Sequence, residues 1–391
     1  MTFVTQAVLV GAAFAIYAIV LIQAGPGHQD FGVYLGAARD LWHGQQLYAA
    51  FLHHPFPDPT LRPAYIYPPA FAVLVAPLGL LPDLHAGIAW TLIEQAALAV
   101  ALVIVLRWWR PSAWAVTALL CATFTFYPLW VDAVQGQANL LVLLLVTAGI
   151  TGIASGHPRA GAALGAAAAL KLTPVILLVW LLVDRRFREA AWMVAGIAAV
   201  TGVGAIVRFH DTLVFFGQVV PALASGTAYY ANQSLAGIVR RVLTSNPYTQ
   251  PWTDIAWAFL VVAVLTILLT GWWFWRTRGQ PALVRSTAFI PLLPLASAVT
   301  WSHHLVILLP VIWLAAVAIA GREWPVAPTL VLAGVLVLFD VVSRWPVGPQ
   351  FNRPGFRLAQ TADPIVFLVA NSLFFATLIL FLAAPWLLRS R

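Results

Sequence analysis

Charge is scarce in this chain. Only 9% of its 391 residues are Asp, Glu, Lys or Arg, against roughly 25% in ordinary soluble domains. So few charges cannot clothe a water-soluble surface. Cysteine occurs once, at Cys121, which excludes an intramolecular disulfide framework and a thiolate zinc site. Lysine also occurs once, at Lys171, so 20 of the 21 basic residues are arginine. These cations stand in short gaps between apolar stretches and form no runs interleaved with aromatics. The net charge of +8 therefore does not signal nucleic acid. No Walker loop or dinucleotide fingerprint is present, so the energy for any chemistry must arrive with a preactivated substrate. No strong internal repeat argues for a transporter built on paired halves. Hydrophobic residues, by contrast, make up 62% of the chain, with 18 Trp and 22 Phe. That is the composition of an all-α polytopic membrane protein with aromatic belts.

Segments of about 20 apolar residues are long enough to cross. They fall at 3–24, 85–107, 111–130, 137–155, 189–208, 254–276, 283–300, 303–320, 325–342 and 364–388. Two further stretches, 68–82 and 160–183, are short or interrupted and read as dips that return to the same side. About a dozen membrane helices result, in a single integral domain over 1–391. With the amino terminus in the cytoplasm, 12 arginines fall in short inner loops and 8 in three long outer ones, 25–67, 209–253 and 343–363. The first segment reads as an uncleaved span. Polar mass concentrated outside predicts that the work is done at the outer face.

Several residues there can carry chemistry. Asp30 follows the first span at headgroup height, and Tyr34, Ala37, Ala38, Leu41 and Trp42 recur behind it at helical spacing. They predict an amphipathic helix, whose first carboxylate serves either as an N-cap or as a general base. Asp40 reads as a solvated face and Asp58 as a turn. From Pro55 to Pro69 six prolines alternate with Phe56, Tyr65 and Tyr67, a stiff extended wall that is either an aromatic belt or a surface for a sugar or prenyl chain. Gln135-Gly136-Gln137-Ala138-Asn139 and Asn232-Gln233-Ser234 place amides where they can meet sugar hydroxyls or cap helices. Lys171 stands where a half-length helix breaks at Thr173-Pro174, a cation suited to phosphate or to a salt bridge with Glu94. The preceding Gly161-Ala162-Ala163-Leu164-Gly165 predicts close helix packing. His303 and His304 adjoin a late span, where proton handling or phosphate contact competes with interfacial capping. A zinc site from these, His53, His54 and Asp30 lacks any known ligand spacing.

A glycosidase needs two carboxylates because its leaving alcohol must be protonated. A phosphate leaves without that help and needs only charge stabilisation. One base and several cations therefore suit transfer from a lipid-phosphate sugar, with Asp30 as base and Lys171, His303, His304 or Arg240 at the phosphate. The run of motifs resembles glycosyltransferase family 87. They are Asp30 with Tyr34, Gly44 and Tyr48; Tyr65-Ile66-Tyr67-Pro68-Pro69; Gly136-Gln137-Ala138-Asn139; Leu170-Lys171-Leu172-Thr173-Pro174; Asn232-Gln233-Ser234-Leu235; and Ser302-His303-His304 with Leu309-Pro310. The resemblance implies a GT-C architecture and inverting α-1,2-mannosyl transfer from polyprenyl-phosphate mannose. The acceptor would be a lipid-linked mannoside, a phosphatidylinositol mannoside or lipoglycan, outside the cytoplasmic membrane of an actinobacterium. It implies Asp30 as catalytic base and a role for His303 or His304; Gln137, Asn139, Tyr67, Asn232, Ser234 and Arg240 are candidate substrate contacts by their own chemistry. No paired acidic motif lies near Asp30, so no metal or other cofactor is expected. An arabinofuranosyl or other prenyl-phosphate sugar donor, and a transporter coupling Glu94 to Lys171, are the competing readings.

Overall fold

The computed structural model describes residues 2–25, 29–53, 64–344 and 361–388. His54, Phe56, Asp58, Arg62 and Arg353 lie outside them, as do most of the proline run and much of the 343–363 loop. Among the described residues the secondary structure is helical, with no strand. The labelled helices are α1 (Thr2–Ala24), α2 (Gln29–Trp42), α3 (Pro69–Val75), α4 (Asp83–Trp109), α5 (Ala113–Thr125), α6 (Tyr127–Gln135), α7 (Asn139–Ala154), α8 (Gly161–Leu170), α9 (Leu177–Val183) and α10 (Phe187–Val207). They continue with α11 (Leu235–Leu243), α12 (Ala258–Thr277), α13 (Ala282–Phe289), α14 (Leu309–Ala320), α15 (Val326–Asp340), α16 (Pro364–Ala370) and α17 (Ser372–Leu387).

Five helices are long and apolar enough to cross a membrane: Phe3–Ala24, Asp83–Trp109, Phe187–Val207, Ala258–Thr277 and Ser302–Ala320. Counting the bent pairs α5–α6 (47°) and α16–α17 (72°) as spans gives up to seven. Shorter apolar helices supply the remaining stretches read from the sequence, among them Pro69–Leu80, Asn139–Ala154 and Val326–Asp340. The chain is thus a multi-pass, all-helical membrane protein. Three segments expected to be continuous are broken. In each, the break falls where the helical ladder loses a donor or gains a rival partner. Pro128 lies in the first turn of α6 and Pro291 follows α13, and proline has no N–H to give the preceding turn. Between α16 and α17, Asn371 turns its Nδ2 back to Phe367 O (2.7 Å) and offers Oδ1 to Arg241 (2.6 Å).

The described residues gather into two compact units. One comprises Ile19–Trp108 and Asp132–Ser225, the other Met1–Ala18, Trp109–Val131 and Gly226–Arg391. In the unit of 19–108 and 132–225, α2 lays Tyr34, Ala37 and Ala38 against α3 and the short turn Ala76–Leu80. The approach is close. A Cβ on Gly79 would stand 3.2 Å from the Ala38 backbone. A second seam joins α8 to α10, as the small residues of α8 predict. A Cβ on Gly165 would come within 2.1 Å of Met193 O, and one on Gly196 within 2.4 Å of Ala162 O. These two backbones touch with no side chain between them.

The unit of 1–18, 109–131 and 226–391 has its own core, in which Trp313 on α14 donates to Thr123 Oγ1 on α5 (2.8 Å). Helices α15 and α17 pack side by side there. Arg241, on α11, is 1% exposed. Its guanidinium donates to Tyr229 O (2.8 Å), Asn232 O (2.9 Å) and Asn371 Oδ1 (2.6 Å). No carboxylate is among these partners, and burial pulls its pKa down to about 9.

Candidate active site

Asp30 occupies the first turn of α2, and Tyr34 follows one turn later on the same face. Opposite them stands a glycine-made turn. Helix α6 ends at Gln135, and Gly136 adopts φ +65°, a conformation that costs other residues the clash of a Cβ. Gln137 N–H then reaches back to Asp132 O (3.1 Å) and Gly136 N–H to Ala133 O (3.3 Å), the paired bonds of a Schellman end. The chain resumes as α7 at Asn139. Gln137 and Asn139 are thereby set on either side of a one-residue step, while Trp90 Nε1 pins the turn through Gly136 O (2.9 Å).

Lys171 arrives from a third direction. Helix α8 stops at Leu170, and Lys171 is extended (φ −148°, ψ 117°), its N–H closing the helix on Ala167 O (3.0 Å). A new turn then starts at Thr173-Pro174, where proline tolerates the loss of a donor. The break read from the sequence is present, and it frees the lysine side chain from the helix surface. Nζ donates to Asn139 Oδ1 (2.6 Å) and to Tyr67 OH (3.1 Å), and lies 5.4 Å from the centre of the Tyr67 ring. An ammonium has three donors; these contacts use two. The expected alternative of an ion pair with Glu94 is not formed. Glu94 Oε2 instead accepts from Leu140 N (2.9 Å), satisfying one of the unpaired N–H groups in the first turn of α7.

Tyr67 joins the two halves. It lies in the extended segment before α3, with its carbonyl fixed by Tyr48 OH (2.7 Å). Its phenol receives Lys171 and donates to Gln137 Oε1 (2.9 Å). Tyr34 OH lies 3.0 Å from the same Oε1 and 2.9 Å from Tyr67 OH. Burial raises the pKa of both phenols, so they remain O–H donors. Gln137 Nε2 donates to Asp30 Oδ2. The other amide mirrors this arrangement: Asn139 takes Lys171 on its oxygen and donates Nδ2 to Asp132 Oδ1 (2.6 Å). Asp30, Gln137, Tyr34, Tyr67, Lys171, Asn139 and Asp132 form one continuous network.

The electrostatics follow from burial. The Asp30 carboxyl is pushed above the ordinary carboxylate value by desolvation, an effect partly offset by the Gln137 hydrogen bond and then by the Lys171 charge. Asp132 is 1% exposed, Asn139 5% and Gln137 6%, so the two amides expected to meet sugar hydroxyls have their carbonyl oxygens and one N–H each engaged inside the protein. Glu94, Asp132 and Gln137 line a small cleft with Leu21, Trp90 and Thr91. Asp132 was not picked out by sequence reasoning. A carboxylate inside an apolar stretch, seven residues before Asn139, was the available signal.

The remaining expected contacts belong to the other unit. Asn232 and Ser234 are wholly buried. Asn232 Nδ2 donates to Thr227 O (2.9 Å) and Ala298 O (3.0 Å), and its Oδ1 accepts from Thr300 N (2.9 Å). Ser234 Oγ donates to Asn232 Oδ1 (2.9 Å) and caps α11 through Gly237 N (3.1 Å). Both residues build this corner, and their hydrogen-bonding groups are engaged in doing so. His303 is buried and His304 half-buried in a 3-10 turn, Ser302–Leu308, that leads into α14. Their rings meet edge to face at 4.6 Å, and His304 Nδ1 lies 3.3 Å from Trp301 N, a capping contact at the start of that turn. Arg240 is half-buried on α11. Among the described residues no three His, Cys, Asp or Glu gather into a metal-binding group.

A helical membrane protein holding a half-buried carboxylate and a lone lysine in one hydrogen-bonded network has the parts of a lipid-phosphate transferase. The chain belongs to glycosyltransferase family 87, whose model matches residues 65–298. Asp30 lies upstream of that match. A phosphatidylinositol pentamannoside mannosyltransferase of Mycobacterium tuberculosis, described as polyprenol-phosphate-mannose-dependent and α-(1-2), is 30% identical over 83% of this chain and 76% of its own length. A second M. tuberculosis protein, described as a phosphatidylinositol mannoside mannosyltransferase of the same dependence and linkage, is 28% identical over 86% and 80%. Among solved structures, ArnT of Cupriavidus metallidurans in the apo state aligns with 97% of this chain and 76% of that one, at 17% identity and a TM-score of 0.43.

Proposed function

We propose that this protein transfers mannose, with inversion, from a polyprenyl-phosphate donor to a lipid-linked mannoside of the phosphatidylinositol mannoside or lipoglycan class. The transfer takes place on the outer face of the cytoplasmic membrane. Asp30 Oδ1 removes the proton of the acceptor hydroxyl as that oxygen bonds to the sugar C1. The bond from C1 to the phosphate oxygen breaks, and the electron pair leaves with the polyprenyl phosphate. Lys171 stabilises the departing phosphate with the N–H that no described residue accepts. A phosphate is stable as an anion, so no second acid is required. The prenyl tail stays in lipid.

One observation carries the reading. A carboxylate with one oxygen unengaged by any described residue and an ammonium with a donor to spare stand at opposite ends of a single hydrogen-bonded chain. The names of the relatives support the choice of sugar and acceptor. All the chemistry in the proposal falls to residues of the unit of 19–108 and 132–225.

The test is transfer by the purified protein in lipid nanodiscs. Labelled polyprenyl-phosphate mannose, or decaprenyl-phosphate arabinose, is supplied with a phosphatidylinositol mannoside. Mannose should appear in an α-1,2 linkage, and Asp30→Asn should abolish its appearance. Transfer from the arabinose donor alone would overturn the sugar assignment. Full activity in Asp30→Asn would overturn the base.

A further inference from the structure

Gln137 sits between the base and the cation, and its amide is held in one orientation by its neighbours. Lys171, as an ammonium, can only donate to Tyr67 OH (3.1 Å). The Tyr67 proton is therefore free for Gln137 Oε1 (2.9 Å), an oxygen that Tyr34 OH also approaches at 3.0 Å. With its oxygen fixed between two phenols, the amide must turn Nε2 to Asp30 Oδ2. Every hydrogen bond from Lys171 through Tyr67 and Gln137 points toward the carboxylate. The Schellman turn at Gly136 fixes the backbone beneath it, and Gln137 is 6% exposed, so its amide is largely shielded from water.

We propose that Gln137 is a positioning residue for the transfer reaction, holding Asp30 by Oδ2 so that Oδ1 alone is presented to the acceptor hydroxyl, and that Lys171 and Tyr67 set its orientation. This rests on the mannosyl-transfer reading given above. It assigns Gln137 no contact with sugar. Two consequences separate it from a substrate-binding role. Loss of the Nε2 donor should lower kcat and shift the pH dependence, because the donor favours the ionised carboxylate. It should leave the KM values of donor and acceptor nearly unchanged.

The experiment compares wild type, Gln137→Glu, Gln137→Leu and Tyr67→Phe in nanodiscs, with kcat and both KM values measured across pH. Gln137→Glu replaces the donor with a second carboxylate beside Asp30. The acid limb of kcat should move to higher pH and kcat at neutral pH should fall about ten- to a hundredfold, the loss expected for one charge-assisted hydrogen bond. Tyr67→Phe leaves Gln137 in place but removes one of the two phenols that hold its oxygen, and should move the limb in the same direction by less. A raised KM with an unmoved limb in these variants would overturn the inference. A readout independent of transfer keeps the two claims apart: the protonated-carboxyl infrared band of Asp30, assigned as the band lost in Asp30→Asn, titrated in resting protein. It should titrate at higher pH in Gln137→Glu and Gln137→Leu than in wild type. An unchanged titration defeats the positioning role whatever the enzyme transfers. A shifted titration in a protein that moves no mannose would defeat the functional reading while leaving the geometry intact.

Discussion

Replacing Lys171 with Met removes a charge while keeping most of the side-chain volume. In the structure Nζ gives two of its three protons to Asn139 Oδ1 at 2.6 Å and Tyr67 OH at 3.1 Å. The third is what a phosphate would receive. A charge-assisted hydrogen bond contributes about 1.5–3 kcal/mol, and 1.36 kcal/mol is a factor of ten in rate. Donor kcat/KM should therefore fall about ten- to a hundredfold. In the mechanism proposed above the acceptor is engaged by Asp30, so its KM should stay within about twofold of wild type. Lys171→Arg should recover little of the loss. A planar guanidinium cannot reproduce the short contact of a compact ammonium with Asn139 while still reaching Tyr67. The assay is initial-rate transfer, with donor varied at saturating acceptor and then the reverse. Undiminished donor kcat/KM, or an equal loss for the acceptor, would refute phosphate binding by this residue.

Asp30→Asn should reduce turnover about a hundredfold or more while the protein still elutes as a monodisperse detergent complex, since an asparagine oxygen can still accept from Gln137. Because burial raises the Asp30 carboxyl and only its ionised form can act as base, the acid limb of the kcat/KM profile should lie above the ordinary carboxylate range. It should climb further in Lys171→Met, where a favourable charge is lost. Gly165→Ala places a Cβ against Met193 O and should cost about 1–3 kcal/mol of stability, read as a lowered Tm in detergent. Arg241→Met leaves Tyr229 O, Asn232 O and Asn371 Oδ1 without their donor and should cost about 2–4 kcal/mol. For topology, Ser245→Cys in a Cys121→Ser background should be labelled from outside only; Asp211 is a poor probe because it is buried in an ion pair with Arg208.

Features governed by local rules were legible in the sequence. The helix behind Asp30, the interruption at Lys171 and the close seam predicted by Gly161 and Gly165 follow from period, proline and side-chain size. Partner choice was not legible in the same way. Gln137 and Asn139 read as polar groups entering a helix, and nothing local shows that Asp30 and Lys171 would occupy them. Asn232 and Ser234 similarly face their own corner, joined by Ala298 and Thr300 from more than sixty residues away. Asp132 was not legible because its stretch reads as the end of a span, although Pro128 in the first turn of α6 marks the 47° bend that redirects the helix. Arg240 drew attention that its neighbour Arg241 merited equally. Which of two adjacent arginines turns inward is decided by where the carbonyls of Tyr229 and Asn232 end up, and a linear pattern does not contain that.

On the proposed role of Lys171, the backbone seam between α8 and α10 bears on how deep a donor phosphate must come to be bound. Side-chain interfaces can repack when a neighbour shifts, but Gly165 against Met193 O has no rotamer to spend. Lys171 leaves α8 just beyond that seam, so its altitude in the protein is a property of peptide geometry rather than of packing choices. Prenyl donors with longer or shorter tails would then dock their phosphates at the same level, and the surplus chain would be taken up by the surrounding lipid.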